Sequence, residues 1–323
     1  MRFGVTGEVS RDRLSQPGLP TWQGLGGCAV YLSLALGRLG AAVIFATLAG
    51  DDLEPDWLAP LHQAGVDLRL RQLAGPTARL ELAYDPNGDI ARLRFRAGVE
   101  RHLDLDHLPP DFWSADWILV GTGPREYQAA VIRHAAQLGR SVALSTQREF
   151  DAGWDSLATL LPHLAALFIN SGEAVDLRGD ALPAALAAMR AVNPHLTCVL
   201  TCGQRGAFLL HQDWLHHVTA CPGEIVSTTG AGDAFAAAWL LSFVRACHPQ
   251  QALRVAAAAA SLALRGPAHT TLPGWQEIEQ KLEAHGQAVR VEGWPTGSVA
   301  AQATLLGEDA ACHRPLRRRV ARS

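Results

Sequence analysis

From Trp117 onward the chain alternates short apolar runs with helical segments, and this alternation constrains the fold more than any other feature. WILVG (117–121), SVALS (141–145), ALFIN (166–170) and TCVLTCG (197–203) read as strands. Helical stretches around 128–138, 157–164 and 181–191 separate them. Near-continuous apolar strands joined by helices imply a mainly parallel sheet with both faces covered. The first third repeats the pattern. A strand over 3–9 leads through a polar stretch to the cluster GLGG (Gly24–Gly27), a helix from Ala29 to Leu39, a strand at 41–50 and a helix around 57–64.

One segment breaks the rhythm. RLELAY and IARLRFR alternate apolar and polar residues around the turn sequence DPNGD, so residues 79–96 read as a hairpin. Its Arg92, Arg94 and Arg96 fall on one face and Leu93 and Phe95 on the other, as expected of a sheet wet on one side. A half-exposed hairpin inserted in an α/β chain suits a lid. The 323 residues therefore fit one large α/β domain with a small insertion.

Composition narrows the function. With Lys+Arg 28 against Asp+Glu 31 the net charge is -3, leaving no global positive field to hold a nucleic acid. The longest apolar stretch, 255–264, is far shorter than the roughly 20 residues of a membrane helix. No signal-peptide core forms before Glu8, Arg11 and Asp12, so a cytoplasmic location is expected, with neither membrane nor nucleic acid as partner. The six cysteines are dispersed and read as reduced core thiols, with no zinc spacing around Cys198 and Cys202. The tail HRPLRRRVARS reads as a solvated terminus.

The strongest chemical signal is STTGAGDAF (227–235), a small-residue loop opening directly into a helix. Gly230 and Gly232 let backbone N–H groups approach an anion, and the helix N-terminus adds positive potential. Asp233 stands at the helix start, placed either to cap it or to take a proton from a hydroxyl attacking a phosphate. The chain has no GxxxxGK[ST] and no GxGxxG after the first strand, so phosphate binding must use another design.

These residues resemble the PfkB (ribokinase-like) carbohydrate kinases, from about Arg2 to Leu282. The family signature D-T-x-G-A-G-D-x-F is matched by residues 227–235 except at its first position. The resemblance implies Asp233 as general base and Gly230, Ala231 and Gly232 as the anion hole. GEVSRD resembles the family's first strand with its substrate-binding aspartate, here Asp12. GLGGCAVYLSLALGRLG followed by AGDD resembles the N-terminal signature, which implies Gly26, Gly27 and Tyr31 as substrate contacts. FINSGE resembles N-x-x-E, implying that Asn170 and Glu173 organise Mg2+ through water. TCGQRGA resembles T-x-G-x-x-G-A, implying ATP contacts at Thr201, Gly203 and Gly206. Taken singly, each match also has a plain reading as a cap, a loop charge or a turn.

The resemblance implies a ribokinase-like three-layer α/β/α sandwich with a mainly parallel central sheet and a small β-strand lid. Residues 1–285 would form the kinase domain, with lid elements about 11–22 and 78–98, and 286–323 a flexible C-terminal extension. The implied activity is ATP- and Mg2+-dependent phosphorylation of a sugar or sugar-like small molecule. A nucleoside kinase of the same family, or a non-catalytic sensor that kept the fold, are the alternatives. A homodimer joined through the lid is implied as well, although packing over the active site explains the hairpin's apolar face equally.

Three departures bear on specificity. Ser227 replaces an aspartate that helps hold a monovalent cation, and a neutral hydroxyl is a much weaker ligand, which argues against potassium activation. Tyr31 stands where sugar-kinase members commonly place an asparagine. A phenol offers a hydroxyl and a stacking face instead of an amide. Ser145 and Thr146 replace an Asp-Pro or Asn-Pro.

Overall fold

The computed structural model describes residues 1–85, 90–146, 153–178, 182–245, 248–296 and 298. Strand β1 (Arg2–Thr6) is followed by two short strands, β2 (Ser10–Ser15) and β3 (Trp22–Gly26), then α1 (Cys28–Arg38) and β4 (Ala42–Gly50). Next come α2 (Ala59–Gln63), β5 (Asp67–Leu73) and the hairpin β6 (Ala78–Tyr84) and β7 (Ile90–Arg96). The alternating stretch gives β8 (Trp117–Val120), α3 (Arg125–Gln137), β9 (Ser141–Ser145), α4 (Gly153–Leu160), β10 (Ala166–Asn170), α5 (Ser171–Arg178), α6 (Leu182–Val192) and β11 (Thr197–Thr201). The chain continues through β12 (Ala207–His211), β13 (Trp214–Val218), α7 (Ala231–Val244), α8 (Pro249–Ala263), α9 (Trp275–His285) and β14 (Val291–Pro295).

Among the described residues the large sheet has the order β14-β13-β12-β11-β10-β9-β8-β1-β4-β5. The run from β5 to β11 is parallel and β12 to β14 are antiparallel. Its parallel strands therefore end on one edge. Because β1 sits between β4 and β8, the order reverses there, and a crevice opens at the strand ends of such a switch point.

Both faces are dry. Along β4, Val43 and Phe45 belong to the apolar layer that also contains α1, α7 and α8, while Ile44, Ala46 and Leu48 belong to the layer on the opposite face, which also contains α3 and α6. Helix α7 is buried almost all round, which accounts for its lack of a polar face. Fully buried Trp239 stacks on Phe243 at 4.8 Å and meets Phe168 edge-on at 6.0 Å. Truncating that indole to alanine would cost about 3–5 kcal/mol.

The small sheet, β3-β2-β6-β7, is the lid. Its wet face is as expected, with Arg79 opposite Arg96, Glu81 opposite Arg94 and Ala83 opposite Arg92. The other face aligns Leu80 with Phe95 and Leu82 with Leu93, yet Leu93 stays 44% exposed, so the chain itself covers that face incompletely. The lid also runs on to Gly26, past the boundary the sequence suggests.

The C-terminal extension differs from expectation. Residues 291–295 do not leave the core but pair with β13 as the edge strand β14, in antiparallel register from Val218↔Val291 to Trp214↔Pro295. Its glycine and proline fit an edge position, where a missing N–H costs no ladder bond. The arginine-rich tail lies outside the described residues.

Candidate active site

Two helix N-termini meet at the C-terminal edge of β1. Helix α7 opens at Gly230, which adopts φ +86°, a left-handed conformation that glycine accepts without strain. The first intrahelical bond runs from the Ala234 N–H to the Gly230 carbonyl at 2.9 Å. The helix therefore does not use the amides of Gly232 and Asp233. Ala231 reaches back to the Thr228 carbonyl at 3.4 Å. A Cβ at Gly232 would meet no atom within 4 Å, so open space lies before this first turn, as an anion hole requires.

Asp233 points from this turn and is only 8% exposed. Burial pushes its carboxyl up to about 7, a hydrogen bond from Cys28 pulls it back, and the neighbouring Glu173 carboxylate pushes it further up. Cys28 is the first residue of α1, fully buried, and burial next to Asp233 holds it as the thiol. Sequence reasoning makes Cys28 a core thiol, whereas its contact with Asp233 ties the two helix starts together.

Asp12 lies on β2 and is almost fully buried. Ser10 Oγ donates to its Oδ1 at 2.5 Å, and Tyr31 Oη donates to its Oδ2 at 2.9 Å. Burial pushes this carboxyl up to about 6 against those two bonds. Gly26, on the paired strand β3, is required here: an added Cβ would sit 1.9 Å from the Asp12 carboxyl carbon. Gly27 caps α1 from a positive φ of 106°. Tyr31 links the two halves, since its hydroxyl holds Asp12 and its ring lies 3.8 Å from the Cβ position of Gly230. Asp12, Gly26, Gly27, Tyr31, Gly230, Ala231, Gly232 and Asp233 thus belong to one constellation.

Asn170 and Glu173 sit at the next part of the edge, where β10 becomes α5. Glu173 N–H donates to Asn170 Oδ1 at 2.9 Å, and Asn170 N–H donates to Glu173 Oε2 at 3.1 Å, a reciprocal cap. Thr146 Oγ1 also donates to Glu173 Oε2, at 2.8 Å, so Thr146 fixes this carboxylate. The cap and a metal role are compatible. A Mg2+ ion carried on nucleotide phosphates keeps several waters and needs only one or two protein carboxylates. Glu173, close enough to perturb Asp233, fits that need. Among the described residues no group of three His, Cys, Asp or Glu side chains could hold a metal by itself.

Thr201 ends β11 beside Asn170, its register partner on β10. Gly203 and Gly206 bracket the tight turn into β12, and at Gly206 a Cβ would lie 1.9 Å from the Val218 carbonyl oxygen. This turn shares the sheet edge with Asn170 and Glu173 but is apart from the Asp12–Asp233 group. Ser227 is buried, and its Oγ accepts the Thr229 N–H at 3.3 Å.

Three other residues, Tyr84, His269 and Trp22, border the site without any motif to announce them. Tyr84, on the lid hairpin, shares a 2.5 Å hydrogen bond with Thr229 of the glycine loop. His269 follows Ala268, which has φ +52°, in the turn after α8. Its ring meets Trp22 edge-on at 5.5 Å and Tyr31 at 6.2 Å. No local pattern could have found contacts between segments this far apart. No helix of the described residues is long and apolar enough to cross a membrane.

Comparison with known proteins bears on the family and the fold. The family profile "pfkB family carbohydrate kinase" matches residues 11–273. A nucleoside kinase of Methanothermobacter thermautotrophicus is 26% identical over 273 residues, covering 80% of this chain and 84% of that protein. A cytidine kinase of Thermococcus kodakarensis is 24% identical over 259 residues, covering 78% and 91%. The crystal structure of a putative ribokinase II from E. coli, in complex with ATP and Mg2+, superposes with a TM-score of 0.74 at 21% identity, covering 88% of this chain and 99% of that one. With the profile spanning most of the chain, from the lid through the glycine loop, this protein belongs to the pfkB family of carbohydrate kinases.

Proposed function

We propose that this kinase transfers the γ-phosphoryl group of ATP to a hydroxyl of a sugar or sugar-containing small molecule, with Asp233 as general base. The observation that carries the reading is Asp233 itself, a buried carboxylate beside unused first-turn amides and open space, with its carboxyl held at about 7. A base whose proton affinity matches the working pH accepts a proton best as the bond to phosphorus forms.

In this reading Asp12 accepts a hydrogen bond from one acceptor hydroxyl and orients another toward Asp233. The attacking oxygen loses its proton to Asp233 as it bonds to the γ-phosphorus. The bridging oxygen leaves with ADP. The amides of Gly232 and Asp233 stabilise charge on the equatorial oxygens, with α7 contributing its N-terminal potential. Mg2+, when bound, neutralises phosphate charge, and Glu173 and Asn170 are the residues that would hold its waters. Thr201, Gly203 and Gly206 contact the nucleotide. The lid closes over the acceptor and limits transfer to water.

The test is ADP release with ATP and Mg2+ against a panel of sugars, polyols and nucleosides, in sodium and in potassium salts. Acceptor-dependent ADP release supports the reading. Tight acceptor binding without any turnover refutes it and makes the protein a sensor built on a kinase fold.

A further inference from the structure

The small sheet ends at β7, whose outer edge pairs with no strand among the described residues. Residues along a strand direct their N–H and C=O groups alternately to its two sides, so alternate residues of β7 keep those groups unpaired. Every residue from Ala91 to Arg96 except Phe95 is exposed. The other sheet edges differ. Gly24, Leu25 and Gly26 of β3, at the far end of the small sheet, are buried. Strand β14 carries Gly293 and Pro295, which weaken a pairing ladder. Strand β5 alternates as β7 does, but its Arg69 is already held by Asp67 at 2.7 Å and Asp111 at 3.0 Å.

The charge of the β7 edge is one-sided. Arg92, Arg94 and Arg96 share the wet face at a repeat of about 7 Å, the length of two extended residues. Among the described residues none of them has an ion-pair partner, and nearby Asp52 is taken up by Arg11 and Arg79, both at 2.9 Å. On the opposite face Leu93 is 44% exposed and Phe95 partly buried. A strand laid against this edge meets arginines on one face and apolar side chains on the other. A second copy of β7 does not fit. Paired antiparallel about a two-fold axis normal to the sheet, it keeps each face and sets arginine opposite arginine, a destabilising contact. The chain's own tail, HRPLRRRVARS, carries the same sign. Such charge guards an edge against self-pairing and attracts a strand of opposite sign.

We infer that β7 is a docking edge for an extended segment of a partner protein in which acidic and apolar residues alternate. The segment adds to the small sheet beside β7. Unpaired backbone groups of β7 supply the ladder, Arg92, Arg94 and Arg96 bond its carboxylates, and Leu93 and Phe95 pack against its apolar side chains. Strand β6 separates this edge from Asp12 on β2, and β7 contributes no residue to the proposed reaction.

The probe is the peptide acetyl-EVEVEVE-amide at low ionic strength, with binding followed by calorimetry and the lid amides by hydrogen exchange. Saturable binding below about 1 mM, with exchange slowed along β7, supports the docking edge. The isomer acetyl-EEVVVEE-amide has the same composition but cannot hold its charges on one face, and it binds at least about tenfold more weakly. An added strand uses alternate amides, so N-methylation of the valines and of the glutamates, in separate peptides, abolishes binding in one and spares it in the other. Arg94→Glu sets like charges opposite each other and lowers affinity about tenfold, while its Tm shows that the fold is kept. The peptide variants decide the question on the wild-type protein alone. Absence of saturable binding by the alternating peptide overturns the inference. Equal binding of the isomer, or equal effects of the two methylation patterns, overturns it too, because charge alone then holds the peptide.

Discussion

The proposed role of Asp233 as general base makes turnover depend on pH in a form set by its burial. Asp233 is raised from an ordinary 3.8 to about 7, and Asp12 from 3.8 to about 6. In the proposed mechanism both act as carboxylates, so kcat/KM for the acceptor rises with pH and levels off above 7. Below that point it falls tenfold per pH step, and the slope steepens to a hundredfold once Asp12 also takes up a proton. At about pH 5 roughly 1% of Asp233 and 10% of Asp12 are ionised, which places kcat/KM about a thousandfold below its plateau. Two aspartates at 3.8 would leave it nearly flat over this range. The neighbours supply sign checks: Glu173→Gln removes a raising charge and moves the acid limb down, while Cys28→Ala removes a lowering hydrogen bond and moves it up. Coupled ADP-release assays at saturating ATP, from about pH 5 to 9, read all three profiles. A wild-type profile flat to pH 5, or limbs that move in the opposite directions, would refute the electrostatic account of Asp233.

Three further outcomes follow from the same geometry. Because the folded state raises the Asp233 carboxyl, that group's stabilisation is complete below 3.8 and is lost as pH rises through 7, a difference on the order of 4 kcal/mol. Asp233→Asn therefore raises Tm at about pH 8 and gains progressively less toward pH 5; a destabilised variant at pH 8 contradicts this. Gly26→Ala drives a methyl into the Asp12 carboxylate and raises the acceptor KM at least about tenfold, while thermal denaturation falls by an amount matching about 1–3 kcal/mol; an unchanged KM contradicts the close approach. With Ser227 neutral and its hydroxyl engaged within the loop, exchanging sodium for potassium changes kcat by less than about twofold, and a strong potassium requirement contradicts that reading.

The sequence shows most where the physics is local. The strands of the parallel sheet are read directly because both faces are buried and each strand is a continuous apolar run. The glycine loop is legible because small residues before a helix have few other uses. Strand β2 is hidden by its buried polar residues: its inward positions are Ser10, Asp12 and Leu14, so two of the three buried residues are polar and the alternation vanishes. Strand β5, DLRLRQL, does alternate, but as a half-exposed edge strand it lacks the apolar run that marks its neighbours. Strand β14 contains glycine and proline and, among the described residues, pairs only with β13, a non-local contact that no short window contains. The same limit applies within the site. Asp12, Tyr31, Gly230 and Asp233 stand in motifs that resemble a family, whereas Cys28, Trp22 and His269 reach the site only when α1, the lid and the turn after α8 are brought together.

In the proposed mechanism Asp233 takes the proton of the attacking hydroxyl. Single-turnover phosphoryl transfer by Asp233→Asn, measured beside nucleotide affinity in the same variant, tests it most directly. The account predicts a loss of transfer of about 10²–10⁴-fold with ATP affinity nearly unchanged. Transfer within about tenfold of the wild-type rate contradicts it and leaves Asp233 as a buried first-turn carboxylate of α7 with no part in the proton transfer.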